Sequence, residues 1–169
     1  MPVYHFTYHT YRSWNADHPR GWIQHGEQGV RIRSEHLAIH RKRLAKHPPT
    51  LIHTHQQHAI IDYVQEICGK RNWEPYGISA NLTHLHVVIA WRSALEMEFV
   101  RDTLKSLLGY LLAKASGTRG KPWFSHGQDE TAVRTMRHLR YLLYKYLPDH
   151  PGAFWRREIN GGGDLLGRV

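Results

Sequence analysis

Two apolar, β-branched runs nearly abut in the middle of the chain, YGISANL at 76–82 and HLHVVIAW at 84–91. Both read as strands, and they form the centre around which the other segments must be arranged. VYHFTYHT at 3–10 is a third strand, with Val3, His5 and Thr7 on one face and Tyr4, Phe6 and Tyr8 on the other. A helical pattern runs from Thr54 to Cys68, where Ile60, Tyr63, Val64 and Ile67 recur three and four apart. A second runs from Glu96 to Ala115 with Leu104, Leu107, Leu108 and Leu111 as its stripe. After a short strand near Trp123, a last helix opens at Asp129 as N-cap and continues until Pro148 stops or kinks it. The order strand, helix, strand, strand, helix, strand, helix predicts an α+β fold, a ferredoxin-like antiparallel sheet with packed helices. One domain spans 1–152, and 153–169 is expected to be a basic tail made mobile by Gly161 to Gly163.

Within the 84–91 strand, His84 and His86 sit two apart, so both imidazoles leave the same face about 6.6 Å apart along the chain. Two nitrogens on one side can clasp a cation. With fifteen histidines in the chain, an H-x-H alone is weak, and His53 with His55 makes another. That second pair lies at a predicted helix, whose geometry would splay it by about 200°. Hydrogen-bonded structural histidines are the competing explanation for His84 and His86, and the downstream sequence decides against it.

On the last helix, Val133, Met136, Leu139, Arg140, Leu143 and Leu147 share one sector at about 100° per residue, the face expected to meet the sheet. Tyr144 and Tyr146 flank that sector, and Tyr141 lies nearly opposite among Arg134, His138 and Lys145. A nucleophile aimed at a metal on the sheet belongs at the margin, and helical spacing alone leaves Tyr144 and Tyr146 open. His150 follows Tyr146 by four, which brings an imidazole to the same side and favours Tyr146. Tyr141 and Tyr144 remain in reserve. A phenol is a poor nucleophile at neutral pH, and a phosphodiester needs its charge neutralised before attack. A divalent ion on His84, His86 and His150 would act as a Lewis acid on the phosphate while Tyr146 attacks in line.

The partner is read from charge. Twenty-three Lys and Arg against fourteen Asp and Glu leave a formal charge of +9, more than folding needs and suited to a polyanion. The segment RIRSEHLAIHRKRLAKH at 31–47 concentrates nine Lys, Arg or His beside one acidic residue. Arg20, Arg31, Arg33, Arg41, Lys42, Arg43, Arg134 and His138 are the candidate DNA contacts. The single Cys68 excludes an internal disulfide and a multi-thiolate zinc site, and a cytoplasmic setting is expected. No segment reaches the roughly 18 apolar residues of a membrane span, and no signal peptide is recognisable.

Four stretches together resemble the HUH endonucleases, specifically the single-tyrosine, REP-associated tyrosine transposases: TYHTYRSWNADHPRGWI at 7–23, ISANLTHLHVVIA at 78–90, TLKSLLGYLL with KPWFSHG at 121–127, and HLRYLLYKYLPDHPG at 138–152. The histidine pair precedes the tyrosine, as in transposases and replication initiators and unlike conjugative relaxases. The resemblance implies the HUH nuclease fold with a C-terminal catalytic helix, and Mg²⁺ or Mn²⁺ on His84 and His86. It further implies a 5′-phosphotyrosine intermediate and single-stranded, hairpin-forming DNA as substrate. It leaves open a homodimer with shared active sites. Such enzymes usually place Gln or Asn four residues after the tyrosine as third ligand, and here His150 takes that place. Were Tyr141 the nucleophile, the corresponding residue would be Lys145, which cannot ligate a cation.

Two other readings compete. A non-catalytic or domesticated DNA hairpin-binding protein of the same fold would keep the basic surface without turnover. A two-histidine RNA phosphodiesterase would need a second H-x-T or H-x-S motif, and the chain offers only His5 and Thr7.

Overall fold

A computed structural model describes residues 1–19, 21–22, 29–118 and 120–158. The elements are β1 (Val3–Thr10), α1 (Glu35–Leu44), α2 (Thr54–Arg71), β2 (Trp73–Ala80), β3 (His84–Trp91), α3 (Met97–Ser116), β4 (Phe124–Ala132), α4 (Met136–Tyr141) running on as a π-helical turn (Leu142–Tyr146), and β5 (Ala153–Arg156). The strands form one open sheet in the order β4-β1-β3-β2-β5, with every pair antiparallel. The order β4-β1-β3-β2 is the ferredoxin-like arrangement expected from the sequence.

Strand alternation gives the sheet two different faces. Phe6, Tyr8, Ile78, Leu85, Val87, Ile89 and Trp91 point to one side and are buried against Ile60, Val64 and Ile67 of α2 and Leu104, Leu108 and Leu112 of α3. The buried stripe of α3 thus includes Val100 and Leu112, while Leu107 and Leu111 are only partly buried. The opposite face carries Val3, Tyr76, Val88 and Ala90, which pack on Val133, Leu139, Leu142, Leu143 and Leu147. That second layer is short. It covers one end of the face and leaves the end bearing His84 and His86 beyond its apolar cluster.

Three expectations are corrected. Asp129 does not cap the last helix; it lies in β4, and Thr135 caps α4, its side chain accepting from the His138 N–H. The segment FSHGQDETA is polar and lacks the alternation that marks a strand, so pairing with β1 rather than local propensity makes it one. Ala153–Arg156 form β5 along β2 instead of opening a tail, so the sheet continues past residue 152. Arg140 is exposed rather than facing the sheet, and Leu142 is buried in the apolar layer. The proposed mobile glycines at 161–163 lie outside the described residues.

Glycine at two positions lets the C-terminal segment lie where it does. A Cβ on Gly77 would sit 2.5 Å from Leu143 Cδ2 and 2.8 Å from Leu147 Cδ1, so its absence admits the helix onto β2. Gly152 has φ +123°, and a Cβ there would lie 2.2 Å from the Ala80 carbonyl oxygen. Among the described residues, no helix is long and apolar enough to cross a membrane.

Candidate active site

The histidine strand pairs with β1 in a register that sets Thr7 opposite His86 and His9 opposite His84. Residues directly opposite share a face. His5, Thr7 and His9 therefore stand beside His84 and His86 on the sheet face that carries the C-terminal helical layer, beyond its apolar cluster. His86 is the most enclosed, 3% exposed. Its Nδ1 lies 3.0 Å from His5 Nε2 and 3.0 Å from Thr7 Oγ1. Its Nε2 is buried and has no hydrogen-bond partner. A buried imidazole nitrogen without a partner costs free energy unless something accepts its lone pair, and a cation does.

The third imidazole arrives from the C-terminal segment. At the end of the π-helical turn the Leu147 N–H donates to the Leu142 carbonyl, five residues back, at 2.9 Å. Pro148 has no N–H to continue the helix. The chain turns, and His150 Nδ1–H donates to the Tyr146 carbonyl at 2.7 Å. That bond fixes the tautomer, with Nε2 left as the lone-pair nitrogen. Gly152 then leads into β5, whose first N–H, on Ala153, donates to Gln57 Oε1 at 3.2 Å. Ligand nitrogens of His84, His86 and His150 all lie within 4.8 Å of one another, close enough for one ion to gather them.

Three of the sheet histidines, His5, His84 and His86, are held neutral. Burial, reinforced by neighbouring imidazoles, lowers His5 and His84 to about 4 and His86 to about 2. Neutral imidazole is the ligating form, so His84 and His86 need lose no proton to bind an ion at neutral pH. His84 keeps two hydrogen-bond partners, Asn81 Nδ2 at 3.0 Å from Nε2 and Thr83 Oγ1 at 3.2 Å from Nδ1. Asn81 Oδ1 accepts from the backbone N–H groups of Thr83 and His84 at 2.9 Å, and this orients its amide toward the ring.

Of the three candidate tyrosines, the structure brings only Tyr146 to the histidines. Its ring centroid is 4.6 Å from that of His150, 5.4 Å from His86 and 5.6 Å from His5. Tyr144 is exposed and stacks under the Arg156 guanidinium at 4.3 Å. Tyr141 is exposed, 6.2 Å from Tyr146. Counting 100° per residue left Tyr144 and Tyr146 equivalent because it assumes an unbroken α-helix, whereas a π turn holds more residues per turn and redirects those that follow.

The basic residues are placed less uniformly. Arg41 lies over the Trp22 ring at 4.2 Å and Arg31 at 5.3 Å. Arg33 pairs with Glu35, and with Lys42 it lines a cavity of about 430 Å³ beside Arg12. Arg43 is exposed on α1, Arg134 is exposed before α4, and His138 is half-buried. Arg20 lies outside the described residues. His53 is the N-cap of α2 rather than part of it, and its ring stacks on His55 at 6.4 Å instead of splaying away. Neither belongs to a three-ligand cluster among the described residues.

Sequence reasoning put His5 and Thr7 on one strand face but gave them no part in the site. The signal was the alternation H-x-T-x-H at 5–9. Its meaning depends on the β1–β3 register, which one strand alone does not specify.

No protein-family profile matches the sequence, and no curated protein matches it. Among solved structures, the chain superposes on a protein from Deinococcus radiodurans assigned to the transposases, with TM-score 0.51 and 11% identity over 90% of this chain and 94% of that one. It also superposes on a REP-associated tyrosine transposase bound to a REP hairpin, with TM-score 0.48 and 11% identity over 83% of this chain and 61% of that one. The first likeness establishes a shared fold.

Proposed function

We propose that the chain is a metal-dependent, single-tyrosine transposase of the HUH class that cuts and rejoins single-stranded DNA. The observation that carries the reading is the convergence of Tyr146 with His84, His86 and His150, an arrangement that joins one phenol to a three-imidazole cation site. Tyr146 is assigned as nucleophile and the three histidines as ligands. Three imidazoles without a carboxylate suit Mn²⁺ better than Mg²⁺, which prefers oxygen donors. When bound, the ion supplies Lewis-acid neutralisation of the phosphate.

The chain's own groups do the rest. Tyr146 Oη bonds to phosphorus, the bond to the 3′ oxygen breaks, and that oxygen leaves as a hydroxyl with the proton the phenol gives up. The phosphotyrosine ester conserves the bond energy, so a 3′ hydroxyl from another strand reverses the step without a nucleotide cofactor. His5 and Thr7 fix the His86 ring, and the Tyr146 carbonyl fixes His150. Hairpin DNA as substrate rests on the resemblance of the four sequence stretches, and the basic 31–47 segment supports a polyanionic partner.

The test is a denaturing gel of protein mixed with single-stranded hairpin oligonucleotides and Mn²⁺. A DNA–protein adduct that needs metal and vanishes in Tyr146→Phe supports the reading. DNA binding without an adduct would make the chain a hairpin-binding module instead.

A further inference from the structure

A second cavity opens immediately beside His84. It has a volume of about 350 Å³ and is lined by His9, Ser13, Trp14, His18, Thr83 and His84 among others. Its wall is aromatic. The Trp14 and His18 rings stack at 3.8 Å with 21° between planes, and the His9 ring meets Trp14 edge-on at 5.0 Å. Trp14 Nε1–H donates to the Gly21 carbonyl at 2.9 Å, which pins the indole in place. Trp14 is nonetheless 38% exposed, so part of the pinned ring stays accessible. A flat, prepositioned aromatic surface lined with hydroxyls and imidazoles is suited to a planar heterocycle.

The cavity's position relative to Tyr146 says which heterocycle. Along β1 the residues His5, Thr7 and His9 follow one another on one face, opposite Val88, His86 and His84 of β3. Tyr146 sits against His5 and His86, at one end of this row. The cavity meets His9 and His84, at the other end. In an in-line displacement the leaving oxygen departs on the side opposite the attacking one. With the phosphate on the histidines and Tyr146 attacking from the His86 end, the leaving 3′ oxygen faces the His84 end and carries its nucleoside toward the cavity.

We infer that this cavity is a nucleobase subsite, and that it holds the base of the nucleotide immediately 5′ of the cleaved phosphate on the Trp14–His18 stack. The inference rests on the nuclease reading above for the polarity of the strand. It makes Trp14 a specificity-determining residue.

The probes are 2′-deoxynucleoside 3′-monophosphates and their 5′-monophosphate isomers, titrated calorimetrically in Mn²⁺ against Tyr146→Phe protein. Only the 3′ isomers join base and phosphate through the oxygen that faces the cavity, so they are expected to bind about tenfold or more tighter. Trp14→Ala removes that preference, and Trp14→Phe, which keeps a flat ring, retains most of it. Thermal melts confirm that both variants fold. Equal binding of the two isomers, or an unchanged preference in Trp14→Ala, overturns the subsite. The adduct gel separates this result from the parent reading. An adduct on Tyr146 without isomer preference leaves the nuclease standing and the subsite refuted; isomer preference without an adduct refutes the nuclease reading and, with it, the assignment of the bound base to the nucleotide 5′ of a cleaved phosphate.

Discussion

Removing both supports of His86 should cost far more than removing either. His86 Nδ1 has two partners, His5 Nε2 and Thr7 Oγ1, each at 3.0 Å. If Nε2 binds the ion, Nδ1 carries the ring's one proton, and that N–H needs a single acceptor. In His5→Leu the threonine hydroxyl still accepts; in Thr7→Val the His5 nitrogen does. Each single change is therefore expected to weaken Mn²⁺ binding only about two- to threefold, well short of the roughly 10- to 100-fold that losing all such support costs a metal ligand. The double variant leaves a buried donor unpaired and should lose that full 10- to 100-fold. It should also lose about 1–3 kcal/mol of stability, the cost of a buried polar group left without a partner. Calorimetric titration with Mn²⁺ and urea melts of the four proteins close the cycle. A double variant no worse than the product of the two singles would refute the shared-proton reasoning.

Other expectations follow from the same geometry. Gly77→Ala drives a Cβ to 2.5 Å from Leu143 and 2.8 Å from Leu147, so about 1–3 kcal/mol should be lost to overpacking. The drop in Tm, at roughly 2–4 °C per kcal/mol for a chain this size, reads it. The metal-free protein should be acid-labile. His5 and His86 are held below the ordinary histidine value, to about 4 and about 2, so below pH 6.5 the unfolded chain binds more protons than the folded one. Stability is then complete above about pH 6.5 and falls as the pH drops toward 4, by a few kcal/mol in sum; a flat urea midpoint from pH 7 to 4.5 would contradict this. Cys68 is buried and its thiol is pushed up to about 12. Iodoacetamide at pH 8 should leave it unmodified in the native protein and label it fully in denaturant.

The central strands and the histidine pair were legible because period-two alternation is a local signal. In HLHVVIAW it places both imidazoles on one side whatever the strand pairs with. The proximity of Tyr146 to His150 was also legible, since a four-residue separation survives the irregularity at Pro148. Other features were set by distant contacts. The π turn at Leu142–Tyr146 has no residue signature, yet it separates Tyr144 from Tyr146. β4 is polar and becomes a strand only against β1, and β5 is four residues that pair with β2. His5 and Thr7 gained their place at the site from a strand register fixed by the whole sheet.

The most direct test is to map the DNA-linked residue. Protein incubated with single-stranded DNA and Mn²⁺ is digested with nuclease and trypsin and sequenced by tandem mass spectrometry. A nucleotide on the Tyr146 phenol is expected, lost when His86 is replaced by Ala. A nucleotide on Tyr141 or Tyr144, or an adduct that persists without the histidines, would contradict the account.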